Sequence, residues 1–318
     1  MNRDRWAESP RSNRVLLEEY GIRCRTSPPG PALRLSFHGV DGDVYNGTAP
    51  FADGDARFLA ARVEARDSEI ASVRLFRETA PGSWAATLPH LVFQRFQDPF
   101  VVRIGQEIVL GGVQIDTDPL RPDTIISYRT LFYRGRGLAD LRLFARGPER
   151  MKDIRPVGLP DGSVGVFTRP QGGAAGMGRI GYVRIPGLDA LDQEAILSAR
   201  VHDTHFVDGE WGGVNEPRLL SDGTIGVLGH IAWWEHRSVR HYHAMAFRFD
   251  PSTERHTPVR IIARRSDLLP GPAKRPDLED VLFSGGLERD GRGRAILYTG
   301  VSDAEIQCLS IPDPFLES

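Results

Sequence analysis

The chain has 318 residues, 40% of them apolar and 26% charged, with a formal net charge of −2. That balance suits a soluble globular protein and argues against nucleic acid or an anionic membrane as partner, since both select strongly basic surfaces. With only Cys24 and Cys308 present a disulfide framework is not expected, and no run approaches the ~20 apolar residues of a membrane span. The charged start Met-Asn-Arg-Asp-Arg-Trp has no apolar secretory segment, so the expected location is cytoplasmic.

In chain order, residues 1–11 read as a loose tail, and Ser12-Asn13 can cap a short helix running to about Tyr20, with Gly21 ending it. Ser27-Pro-Pro-Gly-Pro31 is a loop. Residues 1–30 are thus expected to form a tail and helix, and 31–318 a single domain. From Leu33 onward strands dominate, with alternation over 33–37 and part of 69–76.

One module then recurs five times: a polar foot, an apolar run, a turn with Gly, and a second apolar run. It appears at 45–51 before Asp53-Gly54, at 97–103 before Gly105, and at 152–157 before Asp161-Gly162. It returns at 211–219 before Asp222-Gly223 and at 282–287 before Asp290-Gly291. The feet Asn46, Asp98, Asp153, Glu216 and Ser284 are spaced by 52, 55, 63 and 68 residues. A period near 50 with short strands predicts an all-β fold, a five-bladed β-propeller with a short N-terminal helix, closed around 296–309. In that fold the five feet should line one pocket, where converging carboxylates are costly to bury unless they are used.

Other features read more plainly. Gln171-Gly-Gly-Ala-Ala-Gly-Met-Gly178 lies between strands with no helix after it, so it is expected to be a flexible loop rather than a phosphate cradle. His230, His236, His241 and His243 are expected to be packed or hydrogen-bonded rather than metal ligands, and no metal or cofactor is expected. Trp211, Trp233 and Trp234 flank the Asn215-Glu216 foot, where rings could meet sugar faces or fill the core.

The strings QDPF (97–100), MKDIR (151–155), VFTRPQG (166–172), NEPR (215–218), FSGGL (283–287) and LYTGVSDAEI (297–306) resemble the bacterial family called domain of unknown function 1861. That family is similar to glycoside hydrolase family 130, five-bladed propellers that phosphorolyse or hydrolyse β-mannosides. The resemblance covers roughly residues 30–310. Asp98-Pro99 resembles the Glu-Asp-Pro-Arg string of those enzymes, whose Asp is the general acid, although Gln97 and Phe100 replace its Glu and Arg. Thr299-Gly-Val-Ser-Asp303 is similar to their closing Tyr-Gly-Ala-Ala-Asp string.

The chemistry expected beside that resemblance is glycoside cleavage with a small carbohydrate as partner. Asp98 would protonate the leaving oxygen, and Glu216, its carboxyl roughly 6.5–9.5 Å from that of Asp98, would activate a water between them, as in inverting hydrolases. Asp153, between Lys152 and Arg155, should stay ionised and hold sugar hydroxyls. Asn46, Asn215, Ser284 and Asp303 would add sugar contacts. Lys152, Arg155, Arg169 and Arg218 could instead gather inorganic phosphate, which would make the enzyme a glycoside phosphorylase. Hydrolysis is the first expectation, phosphorolysis the second, and a non-catalytic sugar-binding propeller the third.

Overall fold

A computed structural model describes residues 6–316 apart from position 237; residues 1–5 of the expected tail lie outside it. The five turns form where Gly was placed, because each needs a left-handed residue that only Gly adopts without penalty. Gly54, Gly105, Gly162, Gly223 and Gly291 all have positive φ. Three are reinforced by Asp side chains that accept from the backbone two residues on: Asp161 from Ser163, Asp222 from Thr224 and Asp290 from Arg292.

Each turn joins an antiparallel pair: Phe51–Asp53 with Ala56–Glu64, Phe96–Ile104 with Glu107–Asp118, and Arg155–Gly158 with Val164–Thr168. The last two are Trp211–Leu219 with Ile225–Glu235, and Asp280–Arg289 with Arg294–Val301. Further strands extend these pairs into sheets. The second unit is a four-stranded meander ending in Arg121–Gly135 and Arg142–Arg146, and the third ends in Ile180–Ile185 and Arg200–His202. The fourth and fifth units join into one nine-stranded sheet through a short parallel contact, His241 opposite Asp280 and Tyr242 opposite Val281.

Apolar side chains fill the gaps between units rather than one central core. Leu75 and Phe58 of the first meet Leu110 and Leu131 of the second, and Phe132 of the second meets Val166 of the third. Phe167 of the third meets Val227 and Phe247 of the fourth, and Leu228 of the fourth meets Leu297 of the fifth. Tyr298 and Ile306 of the fifth meet Leu59 of the first. Strands buried on both faces explain the near-continuous apolar runs seen in sequence.

Two local expectations need correction. The helix runs Asn13–Thr26, past Gly21. Its Leu16 and Tyr20 sit in the core between the third and fourth units, Tyr20 donates to Asp267 at 2.7 Å, and Arg23 donates to Ile261 O at 2.7 Å. Those contacts outweigh the ~1 kcal/mol that a mid-helix Gly costs. The run 33–37 is not one strand. Ala32–Arg34 pairs with Glu305–Pro312 of the fifth unit, whereas Ser36–His38 pairs with Ser83–Thr87 of the first. Among the described residues no helix is long and apolar enough to cross a membrane.

Candidate active site

Four of the predicted site residues share one backbone peculiarity. Asn46, Asp98, Asp153 and Asp303 have φ of 46°, 48°, 58° and 51°. Asn and Asp tolerate this left-handed region better than other side chains, yet it still costs on the order of 1 kcal/mol each. All four line a single cavity of about 370 Å³. Strain gathered in this way marks a place where side-chain direction matters more than backbone comfort.

One wall of the cavity is acidic. Asn46 Nδ2 donates to Asp98 Oδ1 at 3.0 Å and to Asp303 Oδ1 at 3.3 Å. Arg62 stands 3.6 Å from Asp98 Oδ1 and is itself held by Glu64 at 2.8 Å, a buried carboxylate that Tyr45 and Lys274 also engage. Burial pushes the Asp303 carboxyl above its ordinary value; Arg62 opposes this and Asp98 adds to it.

The facing wall is basic. Arg169 Nη1 lies 3.3 Å from Asp153 Oδ2, and Arg155 Nη2 lies 3.6 Å from Asp153 Oδ1. Burial would raise the Asp153 carboxyl, but Arg169, Lys152, His230 and Arg155 outweigh it and hold it at about 2. Arg169 is oriented through Gly212 O at 2.8 Å and Met177 O at 3.1 Å, while its Nη1 makes no hydrogen bond. His230 stacks on Tyr242 at 5.4 Å and pairs with Asn215 Oδ1 at 2.9 Å. Burial, with Arg169 and Lys152 adding, lowers its pKa to about 3 despite Asp153, so the ring is neutral.

The acidic wall depends on a close backbone approach. A Cβ on Gly300 would lie 2.0 Å from Asn46 Oδ1 and 2.7 Å from Asn46 N. Gly300→Ala is expected to displace Asn46, cost about 1–3 kcal/mol and sharply reduce activity. A denaturation curve and a rate assay would check this; wild-type values in both would mean the approach is not needed.

Not every predicted residue reaches this cavity. Glu216 and Arg218 pair with each other at 2.7 Å, and both line a second cavity of about 560 Å³ with Thr48, Phe100 and Arg103. Glu216 also accepts from Leu287 N at 2.8 Å. Asp98 and Glu216 therefore do not share a pocket. The reason is register. Glu216 follows the bulge at Asn215 and pairs with Leu228, the place that Phe100, paired with Gly111, occupies after the bulge at Asp98-Pro99. Counting back, the residue in Asp98's place is Val214.

Asn215 lines the second cavity and reaches the first only through His230. Ser284 is fully buried and donates to Gly229 O at 2.8 Å. Arg155 is buried behind the basic wall, stacked over Phe100 at 4.5 Å. Trp211 is a core residue whose Nε1 donates to Tyr242 at 3.3 Å. His241 bonds Asp280 at 2.6 Å and His243 is buried. The glycine-rich loop 171–178 connects two strands and braces Arg169 through Met177 O.

Sequence reasoning missed Arg62, Glu69, His230, Arg240, Tyr242 and Arg275 as lining residues. A weak signal existed for two of them. His230 and Tyr242 lie on one face of the hairpin Ile225–Asp250, since Tyr242 pairs with Ala232, two residues after His230.

The profile of a family described as "Protein of unknown function (DUF1861)" matches residues 30–317. Among solved structures, a mannose phosphorylase from Leishmania mexicana in complex with phosphate is 35% identical, with a TM-score of 0.86 over 94% of this chain and 93% of that one. A GDP-Man-dependent mannosyltransferase from the same organism is 33% identical, with a TM-score of 0.86 over 96% and 95%. A β-1,2-mannobiose phosphorylase from Listeria innocua, in complex with β-1,2-mannobiose, shares the fold at 14% identity and a TM-score of 0.61, over 88% and 90%. These similar structures are carbohydrate-active enzymes. No curated protein matches the chain.

Proposed function

The chain belongs to the DUF1861 family, and on that premise we propose that it is an enzyme that cleaves a β-mannoside by phosphorolysis, releasing mannose 1-phosphate. The observation that carries this reading is the pairing, in one cavity, of an acid wall around Asp98 with a basic wall of Lys152, Arg169 and a neutral His230. Inverting hydrolysis needs a second carboxylate placed to activate water; Glu216 lies in the other cavity, Asp153 is ion-paired with Arg169 and Arg155, and Asp303 is held by Asn46 beside Asp98. Phosphorolysis needs no such base, because phosphate is already an anionic nucleophile and requires only cations to hold it.

In this mechanism Asp98 delivers a proton to the glycosidic oxygen as the bond from that oxygen to the anomeric carbon breaks. Asp98 Oδ1 takes the Asn46 hydrogen bond, which leaves Oδ2 to carry the proton. A phosphate oxygen, held by Lys152 and Arg169, forms the new bond to the anomeric carbon from the opposite face. Asp303 and Asn46 hold hydroxyls of the sugar. The mannose and phosphate named for a similar structure support the choice of sugar and nucleophile.

The scaffold for this site is, in our reading, a five-bladed β-propeller spanning 31–318, with the N-terminal helix docked on its outside. Its support is the packing order, in which each unit meets the next and the fifth meets the first, and the pairing of Ala32–Arg34 with Glu305–Pro312.

Turnover of β-mannosides with and without inorganic phosphate tests the reaction. Phosphorolysis requires phosphate and yields the sugar 1-phosphate; phosphate-independent release of free mannose would overturn it in favour of hydrolysis, and release that requires GDP in place of phosphate would indicate a transferase. In the same assay Glu216→Gln should keep kcat within about threefold, because its partners are Arg218 and Leu287 N rather than substrate. A loss of about 10²-fold or more would restore Glu216 as a catalytic group.

A further inference from the structure

Asn215 carries a polar side chain, almost wholly buried, that hydrogen-bonds the ring of His230. It is the extra residue in the bulge between Val214 and Glu216, and its own backbone carbonyl accepts from Arg155 Nε at 3.0 Å. Asn215 Oδ1 sits 2.9 Å from His230 Nδ1. A carbonyl oxygen can only accept, so the imidazole proton belongs on Nδ1.

The consequence falls on the other ring nitrogen. His230 lines the cavity, stacked against Tyr242 at 5.4 Å, and its Nε2 has no hydrogen-bond partner among the described residues. Because the ring is neutral, Nε2 presents a lone pair rather than a donor. Asp153, ionised beside it, is a second acceptor on the same basic wall. Asp153 has a use without any ligand, as the ion-pair partner of Arg169 and Arg155, whereas the Nε2 lone pair has none. An oxyanion that brings its own proton would use that lone pair.

We propose, resting on the reading that the basic wall takes inorganic phosphate, that Asn215 is a positioning residue which fixes the His230 tautomer and so makes the site select hydrogen phosphate over sulfate. Hydrogen phosphate gives its P–OH to His230 Nε2 and its bare oxygens to Lys152 and Arg169. Sulfate has the same shape but no proton at neutral pH, so one of its oxygens would face a lone pair. Leaving buried acceptors unmatched in this way weakens binding by about 10–100-fold.

The test combines a competition assay with a direct view of the ring. Sulfate should inhibit phosphate-dependent turnover only at concentrations at least about tenfold above the KM for phosphate. Nitrogen-15 NMR of histidine-labelled enzyme, with His230→Gln to assign the signal, should show the proton on Nδ1. Asn215→Leu, which removes the acceptor for Nδ1–H, should abolish the discrimination. An Nε2-protonated ring, or sulfate binding within about threefold of phosphate while turnover still depends on phosphate, would overturn this inference and leave phosphorolysis standing. Turnover that ignores phosphate would sink the phosphorolysis reading and the selectivity together, and the NMR signal would still report whether Asn215 sets the tautomer.

Discussion

Asp98→Asn is expected to lower kcat for phosphorolysis by about 10²–10⁴-fold while changing the KM for phosphate only a few-fold. The substitution is nearly isosteric, and the amide oxygen can still accept from Asn46 Nδ2, as Asp98 Oδ1 does at 3.0 Å. What it removes is a transferable proton. The defect should shrink on substrates whose leaving group departs without protonation, such as a nitrophenyl mannoside, because the acid then has less to contribute. Equal losses on activated and natural leaving groups would show that Asp98 binds sugar rather than donating a proton. A near wild-type rate would remove it from the mechanism.

The second large effect is acid destabilisation beginning near pH 6.5. Burial first, with nearby cations and other histidines, lowers His230 to about 3 and His243 to about 4, and burial lowers His256 to about 4. His202 and His205 are shifted down for the same reason, with the His205 ring stacked on His256 at 3.8 Å. Below pH 6.5 the unfolded chain takes up protons that these folded rings refuse, so stability falls as pH falls. Each such ring costs about 1.4 kcal/mol per pH unit down to its folded value. At pH 5 that is about 2 kcal/mol per ring, and three rings would consume much of a typical domain's 5–15 kcal/mol.

Asp153 does not share this window. Its contribution is present above the ordinary carboxylate value and is lost only as pH falls through about 2. Denaturant midpoints between pH 7.5 and 5 measure the slope, and His205→Phe should make it shallower by about one proton. A midpoint independent of pH over that range would show that the rings are not held neutral.

Much of the fold was legible because its signals are local. A turn that needs positive φ selects Gly, so Gly54, Gly162, Gly223 and Gly291 could be placed from the chain alone, and the Asp before each of the last three caps its turn. The apolar runs beside them followed from burial on both faces of each strand. Asn46, Asp98 and Asp153 were legible for a related reason, since a polar residue that tolerates the left-handed region stood at the same place in three modules. Asp303 came from the resemblance and joined them in the cavity.

Tertiary structure alone decided the rest. Glu216 looked like a fourth foot, but a one-residue bulge at Asn215 set its pairing with Leu228 and put it in the other cavity; a shift of register leaves composition and period unchanged. Gly21 could not end a helix whose next turn was anchored by Ile261 on a distant strand. His230 read as a packed histidine because nothing near it in sequence names Asn215, Asp153 or Tyr242 as neighbours. Local chemistry determined the turns, the strands and the residues that could bear charge. Which charges face one another was set by bulges, register and the packing of one unit on the next, since those depend on contacts between residues far apart in the chain.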